Sequence, residues 1–432
     1  MKRRFIQVLA SGAVFCAGCS AVSTSTKNSQ STEEFAPKLD TEKSVSLKVS
    51  GFLGNFEALD QIVNEFNEYY PDVTITYESN GADQLAEYMQ NNPDVDIFMT
   101  SDQNIRYENQ DEKYVADYCV ELNEEDLDVS GIDEGFLNNC TVNGKLYSIP
   151  LGQNVTGLAV NESLLEKEGL SVPTDYDSFM STLQSLKDKG YVPLQGASSS
   201  IGYYLIDGMV MSELGSDETL LEGLKTNDEA AVTIVEKAIE TLDTLKEKGY
   251  FEESVNAEYP DDNYDGAIMK FFEGNVPFWV CSSENFSGTK KREGKSEAFT
   301  AEPFTYSFMR APLSKDGVYA YSEAWNGFSV NKNSENLDYA IEFMRYLTRE
   351  EVLSEMAELK GIPSVTKNST DERYATVIKP EKTAVYFVNQ GQIQKYMHEF
   401  LRTVAKNDTD GLYTNANQAA TEFVEKCSKV DE

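Results

Sequence analysis

The sequence predicts an open α/β protein, large enough to divide into two lobes. Three observations predict it. Apolar residues switch repeatedly between period two and period 3.6 from Val45 to Met99, giving β-α-β-α-β. About 390 residues follow a polar N-terminal stretch, too many for one ordinary core. Beyond the first twenty residues no apolar run approaches the 18 or so that a membrane helix needs, and 40% of the chain is hydrophobic.

The N-terminus reads as a leader. Lys2, Arg3 and Arg4 precede an apolar run from Phe5 to Phe15 and then Cys16-Ala17-Gly18-Cys19, the order of a secretory signal (1–18). A Cys after small residues makes the cleavage site a lipoprotein site, so Cys19 is the expected lipidated N-terminus. Cys16 departs from that pattern, which usually carries Leu there. Two other readings compete: a short membrane helix, for which about eleven apolar residues are too few, and a C-x-x-C redox pair, which belongs before a helix in a βαβ unit. Residues 19–43 are rich in Ser and Thr and poor in large apolar side chains, the composition of a flexible tether.

The elements then follow in order. Val45, Leu47 and Val49 alternate as a strand that Gly51 to Gly54 interrupt. Phe56, Leu59, Ile62, Val63, Phe66 and Tyr70 mark a helix that stops at Pro71. Val73, Ile75 and Tyr77 form a second strand, a short helix carries Leu85 and Met89, and Val95 to Met99 is a third strand. Ligands of such sheets bind beyond the carboxyl ends of the strands, here the Gly51–Asn55 turn and Thr100-Ser101-Asp102. Helices are expected over 178–189 and 228–248, stopped by Gly190 and Gly249, and strands over 276–280 and 319–330. One long helix is expected over 337–359, bounded by Gly361-Ile362-Pro363, then helices over 392–405 and 416–427.

Charge and cysteine content narrow the chemistry. With 37 basic against 73 acidic side chains the net charge is −36, which repels nucleic acid and anionic lipid and opposes polyanionic ligands unless a local patch overrides the mean. Cys119 and Cys140 either close a disulfide loop of about 20 residues, worth roughly 3 kcal/mol, or are two buried free thiols. Cys281 and Cys427 carry no pattern, and no metal centre or cofactor is expected. Asp261, Asn263, Asp265 and Gly266 follow the start of a calcium loop, but position 12 is Phe272, so a helix start is the better reading. With one His and no G-x-S-x-G, P-loop, G-x-G-x-x-G or H-E-x-x-H, nucleophilic and nucleotide-dependent chemistry has no signature. A glycosidase, needing two carboxylates, is not excluded by counting.

Four segments together resemble the sugar-binding lipoproteins of ABC importers, the extracellular solute-binding family that includes maltose-binding proteins. They are Asn143 to Gly152 (Asn-Gly-Lys-Leu-Tyr-Ser-Ile-Pro-Leu-Gly), Gly157 to Leu165, Phe271-Phe272-Glu273-Gly274-Asn275, and the Ala340 to Leu347 helix followed by Gly361-Ile362-Pro363-Ser364. The resemblance implies a two-lobed periplasmic-binding-protein-like fold whose lobes close about a hinge on a ligand. Lobe one would be 44–153 with 309–358, and lobe two 154–308 with 359–432. It also implies a receptor that passes a carbohydrate to ABC permease subunits. The lipid site and the tether place the expected protein, a monomer, on the outer face of a cell membrane, that of a Gram-positive cell because a tether suits a cell without a confining periplasm.

Sugars present apolar ring faces and a rim of hydroxyls, so their sites combine aromatic platforms with planar polar groups. By position in the family pattern, Asp102 after the third strand, Asn154 and Gln153 after Pro150, Tyr203 and Tyr204 in lobe two, Glu284 after the Trp279 strand and His398 late in the chain are the candidate ligand-binding residues. Asn55 in the first turn either reaches the ligand or caps the following helix. Trp325, beside Asn326-Gly327, is expected on a loop as a stacking platform, whereas Trp279 between Phe278 and Val280 is expected in the core. The alternatives are a polyamine or peptide ligand, or an extracellular glycoside hydrolase.

Overall fold

The structure is a computed structural model that describes residues 34–80, 85–100, 118–123, 127–142, 144–197, 200–201, 204–205, 209–210, 213, 218–259, 264–313, 319–320, 322–369, 374, 382–383, 400 and 415–429. The leader with Cys19, and Asp102, Tyr203, His398, the expected 392–405 helix apart from residue 400, and the Asp261–Asn263 part of the calcium-like loop lie outside those residues. Among the described residues no helix is long and apolar enough to cross a membrane. Residues Pro37–Glu432 form one compact unit.

Its spine is an eight-stranded mixed sheet. The strands are β1 (Val45–Gly51), β2 (Val73–Ser79), β3 (Ile97–Thr100), β4 (Ile149–Asn161), β5 (Leu194–Gln195), β6 (Phe278–Ser282), β7 (Tyr306–Met309) and β8 (Ser322–Val330). They lie in the order β2-β1-β3-β8-β4-β6-β5, with β7 also paired to β4. β1 pairs in parallel with β2 and β3, as the alternation predicts, with helix α1 (Glu57–Phe66) as the crossover. β8 then runs antiparallel to both β3 and β4.

The thirteen-residue β4 links two halves of this sheet. Ile149 to Val155 pair with β8, and Thr156 to Asn161 pair with β6 and β7. Its second half is apolar on both faces because both are covered. Leu158 and Val160 join a core with Phe179, Leu242, Phe278 and Val280, while Val155 and Ala159 face Phe271, Phe272, Trp279 and Cys281. The helices α2 (Glu229–Glu247) and α3 (Ala416–Cys427) cover the first of these cores.

β8 is buried along its whole length, including Trp325. The loop expected around Trp325 is therefore a strand. Gly327 permits this: a Cβ there would stand 2.3 Å from Ser148 Oγ and 2.7 Å from the Ile149 carbonyl oxygen. Asn326 before it takes φ +36°, in the left-handed region that Asn tolerates.

The long helix expected over 337–359 is two helices, α4 (Leu337–Leu347) and α5 (Glu350–Lys360). Thr348 turns its hydroxyl onto the Arg345 carbonyl at 3.1 Å, and Arg349 leaves the helical region at ψ 134°. A β-branched hydroxyl residue competing for the backbone explains the break, which apolar spacing alone does not show. In α4, buried Glu342 accepts from Arg345 Nε at 2.8 Å, from the Tyr70 hydroxyl at 2.5 Å and from the Lys38 amide at 3.0 Å, tying the entering chain to this helix.

Cys119 and Cys140 are both free and buried, which is the second of the two sequence readings and not the disulfide. Cys119 packs with Met89, Val95, Phe98 and Tyr147, and burial pushes its thiol up to about 12. Cys281 and Cys427 are also buried free thiols.

Candidate functional site

The polar residues that the sequence singles out converge where β4 changes partners. Antiparallel register puts Glu323 opposite Asn154, and Trp325 opposite Gly152, on one face of the β8–β4 ladder. Asn154 Nδ2 donates to Glu323 Oε1 at 3.2 Å. Its Oδ1 accepts from the Glu284 amide at 3.4 Å, at the start of helix α6 (Ser283–Ser287). Ser282 caps that helix, with its hydroxyl accepting from the Asn285 amide at 3.3 Å, so Glu284 is held in a fixed first turn.

Tyr204 joins the group electrostatically. Burial pushes its hydroxyl above the ordinary tyrosine range, and the carboxylates of Glu284 and Glu323 push in the same direction, against a hydrogen bond with the Ser282 side chain. Asn154, Tyr204, Glu284 and Glu323 thus form one cluster drawn from four separate stretches of chain.

Trp325 borders the cluster. It is only 2% exposed, contrary to the exposed platform the sequence suggests, because β8 is an interior strand. Phe56 meets its ring edge-on at 6.1 Å, within a group that also holds Tyr77 and Phe328. Lys360, the last residue of α5, sets its Nζ 4.9 Å from the Trp325 ring centroid. The indole Nε1 is buried with no hydrogen-bond partner among the described residues.

Desolvation pulls the Lys360 ammonium below the ordinary lysine range. Nearby Lys291 and Arg292 add to the shift, and Glu284 opposes it. Lys291 and Arg292 are both engaged elsewhere. Lys291 Nζ lies 2.6 Å from Glu57 Oε2, and Arg292 Nε donates to Asp265 Oδ1 at 2.6 Å. Asp265 of the calcium-like loop is therefore partnered with a guanidinium, and no cluster of three potential metal ligands occurs among the described residues.

Other candidates have structural work. Gln153 is buried; its amide donates to the Pro363 carbonyl at 2.8 Å, its Nε2 donates to the Ser364 carbonyl, and its Oε1 accepts from Ser322 Oγ at 2.9 Å. It staples the 362–364 turn to the sheet. Asn55 is exposed and donates to Glu57 Oε1 at 3.3 Å; it does not cap α1, whose N-cap position is Phe56. Thr100, at the end of β3, is bonded to Ser148 and Ser329 at 2.9 and 3.0 Å and is buried.

Two members of the site escape the sequence reading. Glu323 lies two residues before Trp325 in the strand expected over 319–330, so alternation puts both on one face, a consequence hidden by the loop expected at Trp325-Asn326-Gly327. Lys360 gives no signal, since a Lys before a helix-stopping Gly is ordinary.

A chain with this architecture has relatives. Residues 61–383 match the family model described as bacterial extracellular solute-binding protein. A multiple sugar-binding protein of Streptococcus mutans is 22% identical over 247 residues, 55% of this chain and 56% of the relative, so the match spans about half the length of that protein. Among solved structures, the apo form of RafE from Streptococcus pneumoniae superposes with a TM-score of 0.68 at 17% identity, covering 89% of this chain and 98% of RafE. Maltose-bound MalE3 of T. maritima gives 0.64 at 15% identity, covering 89% and 99%. The described fold is accordingly the two-lobed one of those proteins, and the chain belongs to the family of bacterial extracellular solute-binding proteins.

Proposed function

We propose that this protein is a membrane-tethered receptor that captures a carbohydrate, an oligosaccharide, and delivers it to the permease subunits of an ABC transporter. The observation that carries the reading is the cluster at the β4 crossover: an indole beside amide and carboxylate groups, the mixture that grips a sugar by its faces and hydroxyls. The names of similar proteins support it, with multiple sugars for the curated relative and raffinose and maltose for the bound structures.

In this reading lobe one comprises 44–153 with 309–358 and lobe two comprises 154–308 with 359–432, and β4 and β8 supply the hinge. Asp102, Tyr203 and His398 complete the site from segments outside the described residues. Cys19 carries the lipid, residues 19–43 are the tether, and the protein works as a monomer on the outer face of a Gram-positive cell membrane. It does no chemistry: a wrong sugar is rejected because it leaves buried polar groups unpaired.

Thermal melting of the full chain against mono- and oligosaccharides, peptides and polyamines tests this, followed by chromatography for breakdown products. A ligand at about 100 times its Kd should stabilise the native state by roughly 2.7 kcal/mol, a shift of a few degrees. A shift with one glycan class and intact glycan is expected. A shift only with polyamines or peptides, or hydrolysis of the glycan, overturns the reading.

A further inference from the structure

We propose that the preferred ligand carries a carboxylate, and that Lys360 together with the indole N–H of Trp325 forms the subsite that takes it. This rests on the sugar-receptor reading and narrows its substrate class to a uronate-bearing saccharide.

Lys360 is anomalous in this chain. Acidic side chains outnumber basic ones 73 to 37, and the neighbouring lysine and arginine, Lys291 and Arg292, are ion-paired with Glu57 and Asp265. Lys360 is more buried than an ordinary surface lysine, yet among the described residues no carboxylate lies within ion-pair distance of its Nζ. Glu284 is near enough to be felt but too far to pair. Holding an ammonium away from water without a counterion is unfavourable, and the ring face of Trp325 at 4.9 Å offsets this only in part.

The position is also fixed. Gly361 follows at φ +83°, donates its amide to the Ala357 carbonyl at 2.8 Å, and accepts from the Tyr374 hydroxyl at 2.8 Å. A side chain on so firm a helix end cannot relax into solvent by moving its backbone. Beside it Trp325 Nε1, on a residue only 2% exposed, lacks an acceptor among the described residues. Two adjacent donors, one of them charged, are therefore short of an acceptor-rich partner, and a carboxylate supplies two oxygens and one negative charge.

The flanking groups set the size of that charge. Glu323 stands on the Asn154 side of the cluster, where its carboxylate accepts from the Asn154 side-chain amide, and the Glu284 carboxylate is near enough to Lys360 to be felt; both repel additional anionic charge. One unpaired ammonium between such neighbours suits a monoanion and disfavours a phosphate or a multiply sulfated glycan.

Calorimetric titration of the full chain with matched oligosaccharides that differ by a single uronic acid, on xylose, glucose and galactose backbones, decides the matter. The expected result is at least about tenfold tighter binding of the acidic member, the scale of a charge-assisted hydrogen bond. Lys360→Met should abolish that preference while leaving neutral binding measurable, and Lys360→Arg should keep most of it; unliganded melting of both variants checks folding. Equal affinity for the two members overturns the inference and leaves the sugar-receptor reading standing. Tighter binding of neutral sugar by Lys360→Met, with no acidic preference in the parent, also overturns it, since Lys360 would then act as a cover over the indole. Binding of neither member on any backbone overturns both readings.

Discussion

The two tryptophans occupy matching positions and do different work. Each sits in a strand beside β4, each is almost fully buried, at 3% for Trp279 and 2% for Trp325, and each belongs to an aromatic group. Trp279 meets Phe271 at 5.8 Å in a cluster that continues through Phe272, Phe299, Phe304 and Tyr306. An ammonium lies over the ring of Trp325, and its buried N–H has no partner among the described residues. Burial alone therefore does not separate core from site. What separates them is whether the polar atoms carried into the interior are satisfied there.

The largest effect expected from breaking this contrast is on stability. Trp279→Ala removes a fully packed indole from the aromatic core and should cost about 3–5 kcal/mol, read from denaturant unfolding. Any protein that remains folded should keep its ligand affinity, because the hydrogen bonds that hold Asn154 to Glu323 and to the Glu284 amide do not involve the Trp279 ring. Lost affinity in the folded fraction would show that the two regions are coupled.

Trp325→Phe should invert the pattern. The smaller ring leaves some space, but the unpartnered N–H leaves with it, so stability should fall by only about 1–2 kcal/mol. Ligand affinity should fall at least about tenfold through loss of one donor and of the indole face that holds Lys360. Equal losses of stability at the two positions under the same Trp→Phe change, with affinity unchanged at both, would return Trp325 to the core.

The same contrast explains what the sequence could show. Alternation and turn residues placed β1, α1, β2 and β3, because each has one buried face and a clear Gly or Pro boundary. Trp279 was legible as core, since Phe278 to Cys281 is a continuous apolar run. Trp325 was not, because Asn326-Gly327 reads as a turn. Only the Ser148 hydroxyl and Ile149 carbonyl pressed against Gly327 reveal that the glycine serves close strand approach instead. Asn154 and Glu284 were legible through the family pattern, while Gln153 beside them was claimed by the Pro363–Ser364 turn, a contact across about 210 residues that no local pattern encodes.

The smallest expected effect is one of pH, and its sign separates the two regions most sharply. Desolvation lowers the proton affinity of Lys360 in the folded state, with Lys291 and Arg292 reinforcing and Glu284 opposing. In the pH range just below the ordinary lysine value of 10.5 the unfolded chain then binds more protons at this position than the folded one. Unliganded stability should therefore rise with pH across that window relative to Lys360→Met, because losing the proton relieves a buried, unpaired charge. Other lysines and tyrosines titrate there too, so the quantity to measure is the difference between parent and variant in melts at stepped pH. A bound carboxylate reverses the sign, because it favours the ammonium, and affinity for an acidic saccharide should fall over the same window. The Trp279 core pulls the opposite way, since burial raises its Tyr259 and Tyr306 hydroxyls and its Cys281 thiol and the stability they contribute is lost as pH rises; being common to parent and variant, that trend cancels in the difference. Identical pH slopes for parent and Lys360→Met would mean that the ammonium above Trp325 is as well solvated as any surface lysine, and the distinction drawn between the two indoles would lose its electrostatic half.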